Sequence, residues 1–257
     1  MTRLVSGIAL ALAAVAAIVW LPIVALRVLA CAVGVVAALE YAGVAGVSRD
    51  GSRVLLAVMV ALACWAFGMP AFVRMPVVTG LVLAWLAVEV LLFGHEIGRA
   101  GAAVAGAAYI GAPLGLLVAV QARAGWAVTL LLLATVVVSD SAQYYSGRAF
   151  GRHALAPVIS PKKTIEGAIG GMCAAALFMA LAGSRVLVGE AVIPLALLGL
   201  AIAIVGICGD LFESSLKRRA GVKDSSTLIP GHGGVLDRID ALLFATPVFY
   251  LYFRGLP

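Results

Sequence analysis

The chain has 257 residues, 64% of them hydrophobic and 12% charged, with a mean hydropathy of +1.15 and a net charge of +6. A soluble globular chain is about half apolar and about a quarter charged, so this composition excludes that class and selects a polytopic membrane protein. The four cysteines and three histidines are scattered, without a CxxC or any zinc spacing, and no nucleic-acid partner is expected.

A spanning helix needs about 20 apolar residues. Nine runs qualify: 5–26, 28–47, 54–73, 75–93, 101–122, 125–145, 168–188, 191–212 and 239–253. The expected fold is therefore all-α, a multi-pass bundle of about nine transmembrane helices forming one integral domain over residues 1–257. The first run follows Arg3 and is followed at once by another, which reads as a retained helix rather than a signal peptide. With the N-terminus in the cytoplasm, thirteen Lys and Arg residues fall in inside segments and five in outside ones. That asymmetry sets the orientation and accounts for the net charge. It also puts two charged loops, 146–167 and 213–238, on the cytoplasmic side, where nucleotides are. The Ala/Val/Gly-rich chain suggests a bacterial plasma membrane.

Residues 1–124 read mostly as scaffold, and residues 125–257 as the half that carries chemistry. Within the scaffold, Glu40 and Glu89 lie inside predicted spans. An ionisable group at that depth is either functional or a paired helix contact, and no motif around these two decides between them. His95, near a helix end, reads as interfacial, and Trp20, Trp65, Trp85 and Trp126 as packing or interface aromatics.

The second half opens with Asp140, toward the cytoplasmic end of its run, where a carboxylate needs a cavity or a partner. The loop after it holds Arg148, Arg152, Lys162, Lys163 and Glu166. Ser160-Pro161 reads as the start of a helix with Lys162 and Lys163 in its first turn. Cations there oppose the helix dipole unless they share an anion such as a phosphate.

The densest polar stretch is DLFESSLKRRAGVKDSSTLIPGHGGVLDRID, Asp210 to Asp240, with ten of the chain's thirty charged residues. Asp210, Glu213, Ser214 and Lys217 follow i, i+3, i+4, i+7 spacing and share one face if the helix continues through them. Asp237 and Asp240 repeat the i, i+3 spacing across the loop. Two carboxylate pairs at the two ends of a loop can converge on a hard cation, which takes oxygen ligands. Between them lie bases and the segment Pro230-Gly231-His232-Gly233-Gly234, whose glycines let backbone N–H groups approach an anion. Carboxylates with bases and backbone donors are the equipment of phosphoryl-group chemistry.

This stretch resembles the signature of the phosphatidate cytidylyltransferases, S-x-x-K-R-x4-K-D-x4-I-P-G-H-G-G-x-x-D-R-x-D. It is matched from Ser214 or Ser215 through Lys217, Arg218, Lys223, Asp224, His232, Gly233, Gly234, Asp237, Arg238 and Asp240. Ser226 stands where glycine is frequent, and Ala241 where serine is. An upstream block, matched by Asp140, Tyr144, Gly147, Arg148, Phe150, Gly151, Arg152, His153 and then Ser160 through Thr164, Glu166 and Gly167, is similar to a second region of that family. There Gln143 replaces a small residue.

The resemblance implies transfer of a cytidylyl group from CTP to phosphatidate, giving CDP-diacylglycerol and pyrophosphate. It implies Mg²⁺ with Asp210 and Asp237 as its first-choice ligands, and Asp140, Glu213 and Asp240 as further ligands or organisers. Lys162, Lys163, Lys217, Arg218, Lys223 and Arg238 would hold the phosphates. Gly231, His232, Gly233 and Gly234 would form a phosphate loop that His232 either contacts with or braces. Glu166, Ser214 and Asp224 belong to the same candidate site, the bilayer is a partner, and a homodimer is what the family implies. The alternatives are a CTP-dependent enzyme acting on a polyprenol or another lipid phosphate, and an ion-coupled transporter. The concentration of charge at one membrane face argues against the transporter.

Overall fold

The structure, a computed structural model, describes residues 2–47, 50–69, 104–229 and 233–254. The predicted run 75–93, with Glu89, lies outside these residues, as do His95, Gly231 and His232. The helices described are α1 (Thr2–Trp20), α2 (Ile23–Val44), α3 (Asp50–Phe67), α4 (Ala112–Phe150), α5 (Ile165–Phe178), α6 (Val192–Arg219) and α7 (Leu236–Arg254). A π-helical turn, Ala107–Gly111, leads into α4, and another, Met179–Gly183, carries α5 on to Val186. Among the described residues four segments are long and apolar enough to cross a membrane: Ile23–Val44, Val104–Phe150, Ile165–Val186 and Val192–Arg219.

The first predicted boundary moves. The break between α1 and α2 falls at Leu21-Pro22, not near residue 27, because Pro22 adopts an extended conformation (φ −63°, ψ 152°) that starts α2. Arg27 is therefore inside α2, where its guanidinium stacks on Trp65 with 5.1 Å to the ring centroid. The predicted runs 101–122 and 125–145 meet without a loop at Gly125, whose φ of 78° breaks α4 in two.

The loop after α4 is not the helix start that Ser160-Pro161 suggested. Ser160–Thr164 forms strand β2, paired antiparallel with β1 (Ala154–Ala156), and α5 begins only at Ile165. Proline disfavours the α conformation in the residue before it. Thr164 is the N-cap instead, its hydroxyl accepting from Gly167 N at 3.1 Å. Lys162 and Lys163 thus sit on a small hairpin before the helix.

Helix α6 is 28 residues long, about 42 Å at 1.5 Å per residue, against a hydrocarbon core of about 30 Å. Its last turns, Asp210 to Arg219, carry its charged residues. Helix α7 crosses it at close range. A Cβ on Gly209 would lie 2.7 Å from the Asp240 carbonyl oxygen and 2.9 Å from the Phe244 ring, so only glycine permits this approach. The crossing brings Asp210 and Glu213 beside Asp237 and Asp240. It rests on an aromatic cluster joining the halves of the chain, with Tyr109–Phe212 centroids 5.0 Å apart, Phe212–Phe244 5.6 Å and Tyr41–Tyr109 6.1 Å. A second core, built on Leu116, Leu132, Met179, Leu195, Ile202 and Phe249, holds the other end.

Candidate functional site

The face predicted for α6 forms. Glu213 and Lys217, one turn apart, are buried against α7, and Ser214 points back to Asp210, its Oγ donating to Oδ1 at 3.2 Å. Lys217 is the centre of the site. Its Nζ lies 2.6 Å from Glu213 Oε2 and 2.6 Å from Asp237 Oδ1, joining α6 to the first turn of α7. The side chains of Glu213, Asp237 and Lys217 are only 2%, 5% and 11% exposed, so this triad is almost out of water. Such a buried network is stable only while both carboxylates keep their partner.

Asp237 is fully engaged by protein donors. Besides Lys217 on Oδ1, its Oδ2 accepts from Gly234 N at 2.7 Å, Ser225 Oγ at 2.9 Å and Ser225 N at 3.0 Å. It precedes the apolar run that begins at Ile239. Burial works to raise its pKa, but the bonds from Lys217 and the Gly234 N–H outweigh that and hold the carboxyl down at about 2. Gly233 takes φ +81°, and Ile229 N donates to Gly233 O at 2.8 Å, which brings these two residues together. Gly234 must also be glycine, since a Cβ there would lie 2.5 Å from Glu40 Oε2 and overlap Ser225 Oγ.

A second cluster adjoins the first. Lys163, from the hairpin, pairs with Asp210 Oδ2, with side chains 21% and 35% exposed. Asp140 of α4 has Asp210, Lys163 and Arg238 as its charged neighbours, and its Oδ1 accepts from Gln143 Nε2 at 3.2 Å. Asp240 links the clusters: Asp210 and Glu213 both act on it, and its Oδ1 accepts from Ala241 N at 2.8 Å. Carboxylates from α4, α6 and α7 therefore alternate with ammonium groups from the hairpin and α6.

Other predicted residues lie at the rim. Arg218 spans the two polar loops, donating from Nε to Ile159 O at 3.3 Å and from its guanidinium to Val222 O at 3.1 Å. Lys162, Lys223, Asp224 and Arg238 are exposed. Glu166 does not join the carboxylates. It braces the turn before the hairpin, accepting from Arg152 N at 3.0 Å, His153 N at 3.3 Å and His153 Nδ1 at 2.6 Å. Sequence reasoning missed Ser225, whose hydroxyl and N–H hold Asp237, and the partners of Glu40. An acidic residue inside an apolar run was the only signal for Glu40.

Among the described residues no three acidic, histidine or cysteine side chains stand arranged as a ready-made cage for a metal ion. The donor set nonetheless suits a hard cation that takes one or two carboxylates and completes its shell with phosphate and water oxygens. Asp210 is the half-exposed carboxylate, with Asp140 and Asp240 near enough for their charges to act on it.

The cytidylyltransferase family profile matches residues 1–256. The chain belongs to the cytidylyltransferase family. It is 37% identical over 228 residues to the phosphatidate cytidylyltransferase of Pseudomonas aeruginosa, which covers 82% of this chain and 80% of that one. It is 50% identical over 131 residues to that of Haemophilus influenzae, and 42% identical over 140 residues to that of Thermotoga maritima. Those two matches cover 48% and 51% of this cytidylyltransferase-family chain, and 46% and 50% of the relatives. The chain thus spans about half the length of several curated relatives it matches.

Proposed function

We propose that this protein transfers a cytidylyl group from CTP to phosphatidate at the cytoplasmic face of a bacterial membrane. The observation that carries this reading is the buried Glu213–Lys217–Asp237 network, with Lys163–Asp210 beside it, at the charged end of α6. A lipid phosphate lies at that level, and a nucleotide arrives from the adjoining water.

The reaction asks for little covalent chemistry from the protein. An oxygen of the phosphatidate phosphate attacks the α-phosphorus of CTP. A new P–O–P bond forms, the α–β bond breaks, and pyrophosphate leaves. Two polyanions must be brought together, and unit charges about 4 Å apart repel by several kcal/mol in a partly dry site. Lys163 and Lys217 hold their charges close to the reacting region, and Lys162, Arg218, Lys223 and Arg238 surround it. Asp210 and Asp237 are the proposed ligands of a Mg²⁺ ion, with Asp140, Glu213 and Asp240 around them; Asp237 would take that role by giving up its bond from Lys217, which would then turn to phosphate. Bound there, the ion would neutralise phosphate charge. An anionic substrate competes with Asp210 for Lys163, which would free that carboxylate. The loop at 229–234, with His232, would supply donors to phosphate, and the acyl chains would stay in the bilayer.

The test is turnover of the purified, detergent-solubilised protein with CTP, Mg²⁺ and phosphatidate, read as CDP-diacylglycerol formed. A lipid product with CTP only when a polyprenol or its phosphate replaces phosphatidate would overturn the acceptor.

A further inference from the structure

Glu40 lies on α2, in the half of the chain that carries no signature residue, and it is buried. The proposed chemistry does not use it. Its carboxylate nevertheless accepts four hydrogen bonds, all from the segment that joins α6 to α7. Oε1 accepts from Ser226 Oγ at 2.7 Å and Val235 N at 3.0 Å. Oε2 accepts from Leu236 N at 2.7 Å and Ser225 Oγ at 3.3 Å. A carboxylate offers about four lone-pair sites, and a donor faces each of them, the Ser225 proton being shared with Asp237.

Two of the four donors are N–H groups at the start of α7, which have no partner inside the helix and where negative charge is favoured. Asp237 takes the neighbouring Gly234 N–H, so the two acids cap the same turn from opposite sides. They also share Ser225. Its hydroxyl has one proton and two carboxylates in reach, Asp237 at 2.9 Å and Glu40 at 3.3 Å. Gly234 closes the arrangement, because no side chain fits between the loop and Glu40.

We propose that Glu40 is a positioning residue, an acidic clamp by which the N-terminal helices fix the signature loop so that Asp237 meets Lys217. The geometry requires a carboxylate. Each oxygen faces one backbone N–H, Val235 on Oε1 and Leu236 on Oε2, which can only donate, so a glutamine of the same shape would set its NH₂ against one of them in either orientation. An aspartate, one methylene shorter, would not reach. The kinetic consequence rests on the proposed function, but the loop-holding role does not.

The experiment therefore has two readouts on the full-length protein in detergent. The first is the rate of tryptic cleavage after Lys223, which is exposed in the clamped loop. Glu40→Gln is expected to speed it about tenfold or more with helical content unchanged, since a local opening rather than global unfolding is released. Ser226→Ala, which removes one of the four bonds, is expected to speed it less, and its effect is expected to vanish in the Glu40→Gln background. The second readout is pyrophosphate release. In Glu40→Gln, kcat is expected to fall about tenfold or more while KM for CTP shifts less than about threefold. Cleavage at the wild-type rate in Glu40→Gln and in Ser226→Ala overturns the clamp. Faster cleavage with unchanged kcat overturns the positioning role. If Glu40→Gln does not fold, Ser226→Ala alone decides. Faster cleavage in a protein whose wild type makes no CDP-diacylglycerol keeps the clamp and sinks the proposed function instead.

Discussion

Lys217 stands between two carboxylates that would otherwise face each other out of water. Replacing it with methionine keeps the bulk but leaves both acids without a counter-charge. Removing one partner of a buried charge pair costs about 3–5 kcal/mol. Lys217→Met is expected to lower the thermal unfolding midpoint strongly and to abolish turnover, measured by scanning fluorimetry and by CDP-diacylglycerol formation. Asp237→Asn is a milder structural change that keeps side-chain volume and half of the acceptor capacity. It is expected to remain folded and to be inactive, and wild-type turnover would remove Asp237 from the proposed metal site. The charged residues of this site were legible because their i, i+3, i+4 spacing is a property of a helix. The partners of Glu40 were not, because they lie about 185 positions away and spacing along the chain carries no trace of that contact; Ser225 was missed because it holds Asp237 from an irregular segment with no periodic spacing. The partners of Glu166 were not legible either. Its place in a motif marked it as important, but the structure uses it to hold the backbone of Arg152 and His153.

At the level of elements, the site depends on how closely α6 and α7 cross. Gly209→Val would force the helices apart at Asp240 and Phe244. Its expected result is a loss of turnover of about tenfold or more, because a displacement of about 1 Å in a positioned group has that effect. Gly43→Ala in α2 is the matching control, since a Cβ there meets nothing within 4 Å. It is expected to leave turnover unchanged and to raise stability slightly, as alanine outranks glycine within a helix. Turnover per folded molecule, compared between the two variants, checks both. The helices themselves were largely legible from 20-residue apolar runs. Their boundaries were not where local chemistry decides them. Pro22 set the α1–α2 break and Thr164 the start of α5, and a five-residue strand replaced the helical turn expected at Ser160-Pro161. Short-range capping and the strand pairing with Ala154–Ala156 outweighed the propensity signal there.

Across the whole molecule, the two halves of the chain are packed together. Tyr41 and Glu40 of α2 reach the aromatic cluster and the signature loop, so the first half holds the second in register. The positive-inside asymmetry further predicts that both polar loops face the cytoplasm. In right-side-out vesicles, a single cysteine at position 223, made in a background without the four native cysteines, is expected to resist an impermeant maleimide until the membrane is opened. Immediate labelling would reverse the orientation.

The most direct measurement is pyrophosphate release by the purified protein with CTP, Mg²⁺ and phosphatidate, with ATP replacing CTP, and a polyprenyl phosphate or free polyprenol replacing phosphatidate, in parallel. Release only with CTP and phosphatidate is the predicted result. No release with that pair, or CTP consumption only with another acceptor, would contradict it.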